Sequence, residues 1–287
     1  MANVILGWPN RADECVLSGG SWTAQLPLAN LQNRQIARVA RTTNAATAST
    51  QFVAALATSR LVRSVALVGH NLGTSAKYRI RGGQSPTDFS APGVDTGWVD
   101  AWPRIYSYGS VPWGDPRFWG GRYTPGDLGS DTWHLIHVFP TNIAARYWLI
   151  ELDDSANGAG YLQIGRLFIG EIFQPALNMA YGASIGYEPR TTVEESPSGA
   201  EFFNVLRGYR VAKFTLKWLD ESEAMAGALD MQRLCGVHGE VLFVWDADDA
   251  NHKLRRSFLG RMRQLSPIEV PYINNYSIGY EIKELLA

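Results

Sequence analysis

Apolar and polar residues alternate without a break over residues 211–218. Ala212, Phe214, Leu216 and Trp218 lie on one side, and Val211, Lys213, Thr215 and Lys217 on the other. The period of two returns over 276–283, where Tyr276, Ile278, Tyr280 and Ile282 oppose Ser277, Gly279, Glu281 and Lys283. Successive side chains of an extended chain point to opposite faces, so each run predicts a half-buried strand. Between them the pattern predicts one helix, over 221–235. Asp220 is its N-cap with Glu223 three residues on, Gly236 is its stop, and Met225, Ala228, Leu229 and Cys235 are the residues expected to cover the sheet. Strands over 240–245 and 257–265 flank a polar turn, and 271–275 is a further turn. Trp218 and Trp245 on these strands are expected in the core, as are Trp22 and Trp148 upstream.

Residues 1–175 read as nearly all β. Residues 61–68 include the apolar run Val65-Ala66-Leu67-Val68, closed by the turn-forming Gly69-His70-Asn71. Residues 77–81 form a short alternating strand, 133–138 another, and 147–152 is apolar on both sides. Asp153 to Gly158 is a turn with an Asn-Gly pair, and 161–173 reads as one long β stretch with Gly165 and Gly170 as bulges. Short strands separated by Gly, Asn and Pro, without helical periods between them, predict an antiparallel sandwich. Residues 98–123 break the pattern. They hold Trp98, Trp102, Tyr106, Tyr108, Trp113, Phe118, Trp119 and Tyr123 among Gly and Pro, and predict a long ordered loop between sandwich strands. Residues 178–208 begin as a linker and continue as a first strand and an extended arm. The fold class is therefore mainly all-β: a β-sandwich over 1–175 carrying the aromatic insertion, and a small β-barrel with one short helix over 176–287.

The chain has 287 residues, a hydrophobic fraction of 46%, a charged fraction of 18% and a net charge of -1. That balance supplies no basic stripe to displace counterions from phosphates, so no nucleic-acid partner is expected. Cys15 and Cys235 stand far apart without metal-ligand spacing and read as reduced, mostly buried thiols. The first residues lack the basic head and apolar run of a signal peptide, and no apolar stretch reaches the roughly 18 residues of a membrane span. Synthesis and folding in the cytoplasm are expected.

No cluster carries catalysis, a cofactor or a metal ion. His134 and His137 fall on opposite faces of a strand, and His70 reads as a turn residue bonding to backbone. The run Asp246-Ala247-Asp248-Asp249-Ala250-Asn251 lacks the Gly and Glu of a calcium loop and reads as a solvated hairpin tip. Asp95, Asp100, Asp115, Asp127 and Asp131 lie in or near the insertion, but scattered loop acids do not make the rigid pair that glycoside hydrolysis needs. The insertion itself has two readings. Its rings would stack on pyranose faces, or they would anchor the loop and meet an adjacent subunit; packing or subunit contact is preferred.

The succession Leu26-Pro27-Leu28-Ala29-Asn30-Leu31, Val65-Ala66-Leu67-Val68-Gly69-His70-Asn71-Leu72, Tyr147-Trp148-Leu149-Ile150 and Ile164-Gly165-Arg166-Leu167-Phe168-Ile169-Gly170 resembles a galactose-binding-like (discoidin-like) jelly roll. Joined to a barrel ending Tyr276-Ser277-Ile278-Gly279-Tyr280-Glu281-Ile282, it is similar to distal-tail and tail-tip proteins of long-tailed bacteriophages. The resemblance implies a tail-tube-like barrel, a non-enzymatic structural role in the virion tail, and self-association in a ring of hexameric or threefold symmetry. It also implies contact with tail-tube and tail-tip proteins. The alternative is a carbohydrate-binding adhesin with a host glycan as partner; a glycan-degrading enzyme is a third reading.

Overall fold

Phe52–Val68 and His134–Asp153 pair antiparallel along most of their 17 and 20 residues and form the middle of a seven-stranded sheet. The computed structural model describes residues 2–90, 93–128, 132–249 and 251–286. Arg166–Gly170 flanks the pair on one side and Lys77–Gly83 on the other, with Val94–Asp95 beyond. The run Val65-Ala66-Leu67-Val68 is apolar on both sides because both of its faces are covered. Val65 and Leu67 join a core with Phe52, Trp148 and Ile150. Ala66 and Val68 pack instead against Ile5, Leu242, Val244 and Leu259 of a second sheet.

That second sheet has eight strands, ordered Ile172–Phe173, Ile5–Gly7, Val241–Val244, Ser257–Met262, Asn275–Glu284, Tyr209–Leu219 and Ser184–Glu188, with Glu269–Tyr272 added on Asn275–Glu284. Its other face gathers Leu6, Phe214, Phe243, Phe258, Tyr280 and Ile282 around the helix. The period of two therefore decides which core each residue enters: Phe243 goes to the helix side, Leu242 and Val244 to the facing sheet. The fold is all-β in its main elements, and every strand pairing among the described residues is antiparallel. Among them no helix is long and apolar enough to cross a membrane.

Several local expectations change. Ile5–Gly7 lies in the second sheet, paired with Val241–Val244, so the segment 1–175 lends its first strand to the C-terminal unit. The stretch 161–173 divides into Gln163–Ile164, Arg166–Gly170 and Ile172–Phe173, which belong to three different sheets. The first break falls at Gly165, where a Cβ would overlap the Ile36 carbonyl, and the second at Glu171. The helix is capped reciprocally: the Glu223 amide donates to Asp220 at 2.6 Å, and the Asp220 amide to Glu223 at 3.2 Å. Glu223–Leu229 is π-helical before Asp230–Cys235 turns α-helical. The buried face is Ala224, Ala228, Met231 and Cys235, while Met225 and Leu229 are exposed, because the wider turns move the apolar stripe. Residues 246–251 are more than a solvated tip: Asp246 is buried, accepting from the amides of Ala2 at 2.8 Å and Asp248 at 3.0 Å, and a helical turn, Lys253–Arg256, follows. Ala250 of that run lies outside the described residues.

Trp218 departs furthest from the alternation. The register of Tyr209–Leu219 against Asn275–Glu284 shifts between Leu216 and Leu219, and Trp218 takes a left-handed φ of 66°. Leu219 then fills the core position, and Trp218 is left 60% exposed. A bulky residue held there costs about 1–3 kcal/mol. Trp148 is fully buried, and Trp22 and Trp245 are half-buried.

Two buried arginines tie the sheets together. Arg166, with no exposed surface, donates to Glu240 at 2.8–3.1 Å, to Asp13 at 3.0 Å and to the Leu31 carbonyl at 3.2 Å. Arg210 meets Glu284 at 2.5 Å and donates to the carbonyls of Leu254, Arg255 and Ser257. Glu240→Gln should destabilise the protein by about 3–5 kcal/mol in urea unfolding, since it strips the charge from the partner of a buried cation. The double variant Arg166→Met with Glu240→Leu should recover part of that loss. Equal losses in the two would mean the pair is replaceable packing only.

Candidate functional site

The insertion departs from Lys77–Gly83, to which Val99–Asp100 still pairs, and returns at Trp133 beside the strand His134–Asp153. Both of its ends are therefore fixed by the first sheet. The carbonyl of Gly121 then closes its neck, accepting from the amides of Ile105 at 2.7 Å and Tyr106 at 2.9 Å. Gly121 needs to be glycine: its φ is 60°, and a Cβ would collide with the Tyr106 carbonyl and the Arg104 side chain. What read as an ordered loop over 98–123 also contains a helical turn, Arg117–Gly120, and a second, Pro125–Leu128, follows it.

The eight aromatic residues divide into a foundation and a tip. Trp102 and Tyr123 are buried, with ring centroids 5.7 Å apart, and both contact Trp133, at 5.2 and 5.1 Å. Tyr106 is half-buried under the Arg117 guanidinium, 5.5 Å from its ring centre. Above the neck, Phe118 is half-buried at the centre of Tyr108, Trp113 and Trp119, at 5.6, 5.3 and 5.2 Å. Those three outer rings are 72%, 78% and 71% exposed. Trp98 is also exposed but has no ring contact with the tip among the described residues. The structure thus assigns loop packing to Trp102, Tyr106 and Tyr123, and leaves Tyr108, Trp113 and Trp119 presented to solvent around Phe118.

Beside the tip lies a cleft of about 590 Å³, lined by Ser75, Asp115, Arg117, Arg122, Tyr123 and Thr124 among others. Its charges are arranged in pairs. Arg117 binds Asp127 at 3.0 Å, and Arg122 binds Asp100. The Thr124 amide and hydroxyl, with Arg117, hold the Asp127 carboxyl below its ordinary value. Asp95, paired with Arg79, is held at about 2. Asp115 caps the Arg117 amide at 2.8 Å. Asp131 lies outside the described residues. The lowered carboxyls of Asp95 and Asp127 stay ionised at neutral pH. They accept hydrogen bonds from hydroxyl groups well and do not serve as the proton-donating acid of a glycosidase. Arginine and threonine supply the complementary donors, so the cleft suits a neutral, hydroxyl-rich ligand.

The histidines serve the scaffold. His134 is buried facing the second sheet, where its Nδ1 lies 3.4 Å from Arg210, while His137 faces the opposite core and meets the Tyr78 hydroxyl at 3.0 Å. His70 Nδ1 accepts from the Leu72 amide at 3.3 Å and packs edge-on against Trp102. Burial pushes His70 down to about 4 and, with the charge of Lys253, His137 to about 4. Cys15 and Cys235 are buried thiols whose burial raises them to about 12 and about 11, away from nucleophilic chemistry. Among the described residues no group of three or more His, Cys, Asp or Glu is placed to hold a metal ion.

No protein-family model matches the chain, and no curated protein does. Similar solved structures include a family 32 carbohydrate-binding module of Clostridium perfringens in complex with galactose, at 18% identity and a TM-score of 0.37 over 58% of this chain and 99% of that one. A fucose-binding module of Streptococcus pneumoniae has 11% identity and a TM-score of 0.36, covering 56% and 94%. A serum fucolectin of striped bass, Morone saxatilis, has 10% identity and a TM-score of 0.35, covering 96% and 92%.

Two predictions follow from the division of the insertion and from its histidine. Trp102→Ala should destabilise the protein by about 3–5 kcal/mol. Trp113→Ala and Trp119→Ala should each stay within about 0.5 kcal/mol of the parent by urea unfolding, since their rings bury little. A large loss at Trp113 would place the tip in the core instead. The second concerns pH. The unfolded chain protonates His70 and His137 near 6.5 and the folded chain near 4, so unfolded protein binds more protons across that window. Stability should therefore be complete above about pH 6.5 and decline as the pH falls toward about 4. His70→Asn, which keeps an acceptor for the Leu72 amide, should flatten that decline in unfolding curves taken across the range.

Proposed function

We propose that the protein is a non-catalytic carbohydrate-binding protein that recognises a surface polysaccharide through the aromatic tip and adjoining cleft, carried on a galactose-binding-like sandwich. The observation that carries this reading is the exposure of Tyr108, Trp113 and Trp119 around Phe118, above a foundation that already satisfies the packing needs of the loop. Rings exposed in this way are not needed to hold the fold, and a contiguous apolar patch marks a contact site. A pyranose offers a flat C–H face to a ring and hydroxyls at its rim. The cleft beside the rings holds Arg117, Arg122, Asp115 and Thr124 to bond such hydroxyls. Its size falls within the usual range for small-ligand sites, about 300–1,000 Å³.

A structural role in a bacteriophage tail is the second reading, favoured by a different observation. Thr192–Glu195 and Glu201–Asn204 form a hairpin whose eight residues are all exposed. Val193 pairs with Phe203 on one face and Glu194 with Phe202 on the other, so both faces carry an apolar side chain. A two-stranded ribbon is marginal alone in water. Seated between subunits of a distal-tail or tail-tip ring, hexameric or threefold and next to the tail tube, it would be covered on both faces. The two readings are compatible, since a virion subunit can also bind a host glycan.

The test is binding of the full chain to a glycan array and to purified cell-envelope polysaccharide. A bound glycan is expected, with affinity reduced about tenfold or more in Trp113→Ala and Trp119→Ala, the equivalent of about 1.4 kcal/mol for each lost ring. Binding that ignores both substitutions would move the site elsewhere, and no binding at all would leave the tail-subunit reading, to be checked by imaging the particle for rings.

A further inference from the structure

Trp218 is turned out of the core by a backbone bulge, and its ring does not stand alone. The ring of Tyr272 lies parallel to it, with planes 3° apart and centroids 6.5 Å apart. Tyr272 ends the strand Glu269–Tyr272, and the chain turns back through Ile273 and Asn274, the latter with a left-handed φ of 56°. The two left-handed non-glycine residues among those described, Trp218 and Asn274, thus fall at one place. Both rings are exposed, at 60% and 68%. They flank a cleft of about 400 Å³ that also takes in Lys217, Glu269, Asn275 and Ser277.

From this arrangement we infer that Trp218 and Tyr272 form a second saccharide-binding site, on the second sheet and apart from the insertion. The rings supply parallel apolar faces, whose negative π surface attracts the C–H bonds of a pyranose. Lys217 donates hydrogen bonds, Glu269 accepts them, and Ser277 does both. One cation and one anion leave the cleft without net charge, which matches a neutral sugar and offers nothing extra to a phosphate or a nucleic acid. A core-filling role does not explain Trp218, since Leu219 occupies the core position in its place. The ligand is a neutral hexose or N-acetylhexosamine, bound at the end of a chain or within it. This site does not share a lining residue with the cleft of the insertion.

The experiment titrates the full chain with a panel of neutral hexoses, N-acetylhexosamines and their short oligomers, following tryptophan fluorescence and heat of binding. It compares the parent with Trp218→Gly, Tyr272→Ala and Trp113→Ala. Glycine takes the left-handed conformation of residue 218 freely, so Trp218→Gly should fold at least as stably as the parent while losing the ring. Affinity of one saccharide should fall about tenfold or more in both Trp218→Gly and Tyr272→Ala, whatever the effect of Trp113→Ala, which reads the insertion site alone. Loss in Trp113→Ala alone would uphold the insertion site and overturn this one; loss in Trp218→Gly and Tyr272→Ala alone would do the reverse. Saccharide binding unchanged in Trp218→Gly, or a change only in its oligomeric state, would overturn the inference and make the rings a protein contact. Failure of every saccharide to bind the parent would overturn it as well.

Discussion

A guanidinium with no exposed surface has to be met on every side by the protein, and Arg166 is met by three segments distant in sequence. It shares a face of its strand with Phe168, which packs between the two large sheets. Glu240, at the entry to Val241–Val244, takes its charge from the second sheet; Asp13 and the Leu31 carbonyl reach it from the N-terminal turns. Asn10 completes the arrangement, donating to Glu240 at 2.8 Å and to the Leu167 carbonyl at 3.0 Å. Such a pair contributes little net stability compared with apolar side chains of equal volume, but leaving one partner alone is costly. Its effect is therefore one of selection. The face-to-face arrangement of the sheets brings Glu240 over Arg166 and places the first strand of the chain beside Val241–Val244.

The insertion depends on that packing. Tyr123 belongs to its foundation, and the Tyr123 hydroxyl accepts from Arg255 Nε at 3.0 Å, with the guanidinium over the ring. Arg255 stands in the helical turn before Ser257–Met262, a strand of the second sheet. The neighbouring Leu254 and Arg255 carbonyls are held by Arg210, which also faces His134 from the first sheet. The aromatic platform is thus braced by both sheets, although its chain leaves and re-enters only the first. A rigid base under a contact surface reduces the ordering entropy lost on binding.

The period of two made most of the strands legible, because it reports directly which faces are covered. It served well at Tyr209–Leu219 up to Leu216, at Asn275–Glu284, and at the doubly covered run Val65-Ala66-Leu67-Val68. The helix was legible from its capping residues, whereas its buried face was not, since a π-helical stretch shifts the stripe without a compositional mark. Trp218 illustrates the limit of periodicity: a bulge of one residue reverses every later orientation, and nothing in the residues Lys217-Trp218-Leu219 announces it. The membership of Ile5–Gly7 in the second sheet is a long-range pairing, visible only in the short apolar run Val4-Ile5-Leu6. Within the insertion, composition named all eight rings but could not rank their exposure. That ranking is set by the Gly121 neck and by contacts to Trp133 from another part of the chain.

The two aromatic surfaces reach exposure by opposite physical routes. In the insertion the rings at the tip rest on buried rings, so the backbone there is supported by Trp102 and Tyr123 and the outer side chains are nearly independent of stability. Substitution at the tip therefore alters the exposed surface without weakening the fold. At Trp218 no buried aromatic ring lies beneath the side chain among the described residues. The ring is held outward by the backbone itself, in a left-handed conformation that glycine would adopt at lower energy, while Leu219 keeps the core closed. A tryptophan placed where it strains the chain and buries little is a poor choice for folding and a sound one for contact. Strain of this kind persists only where the surrounding strands overdetermine it, and the pairing of Tyr209–Leu219 with Asn275–Glu284 on both sides of the bulge supplies that constraint.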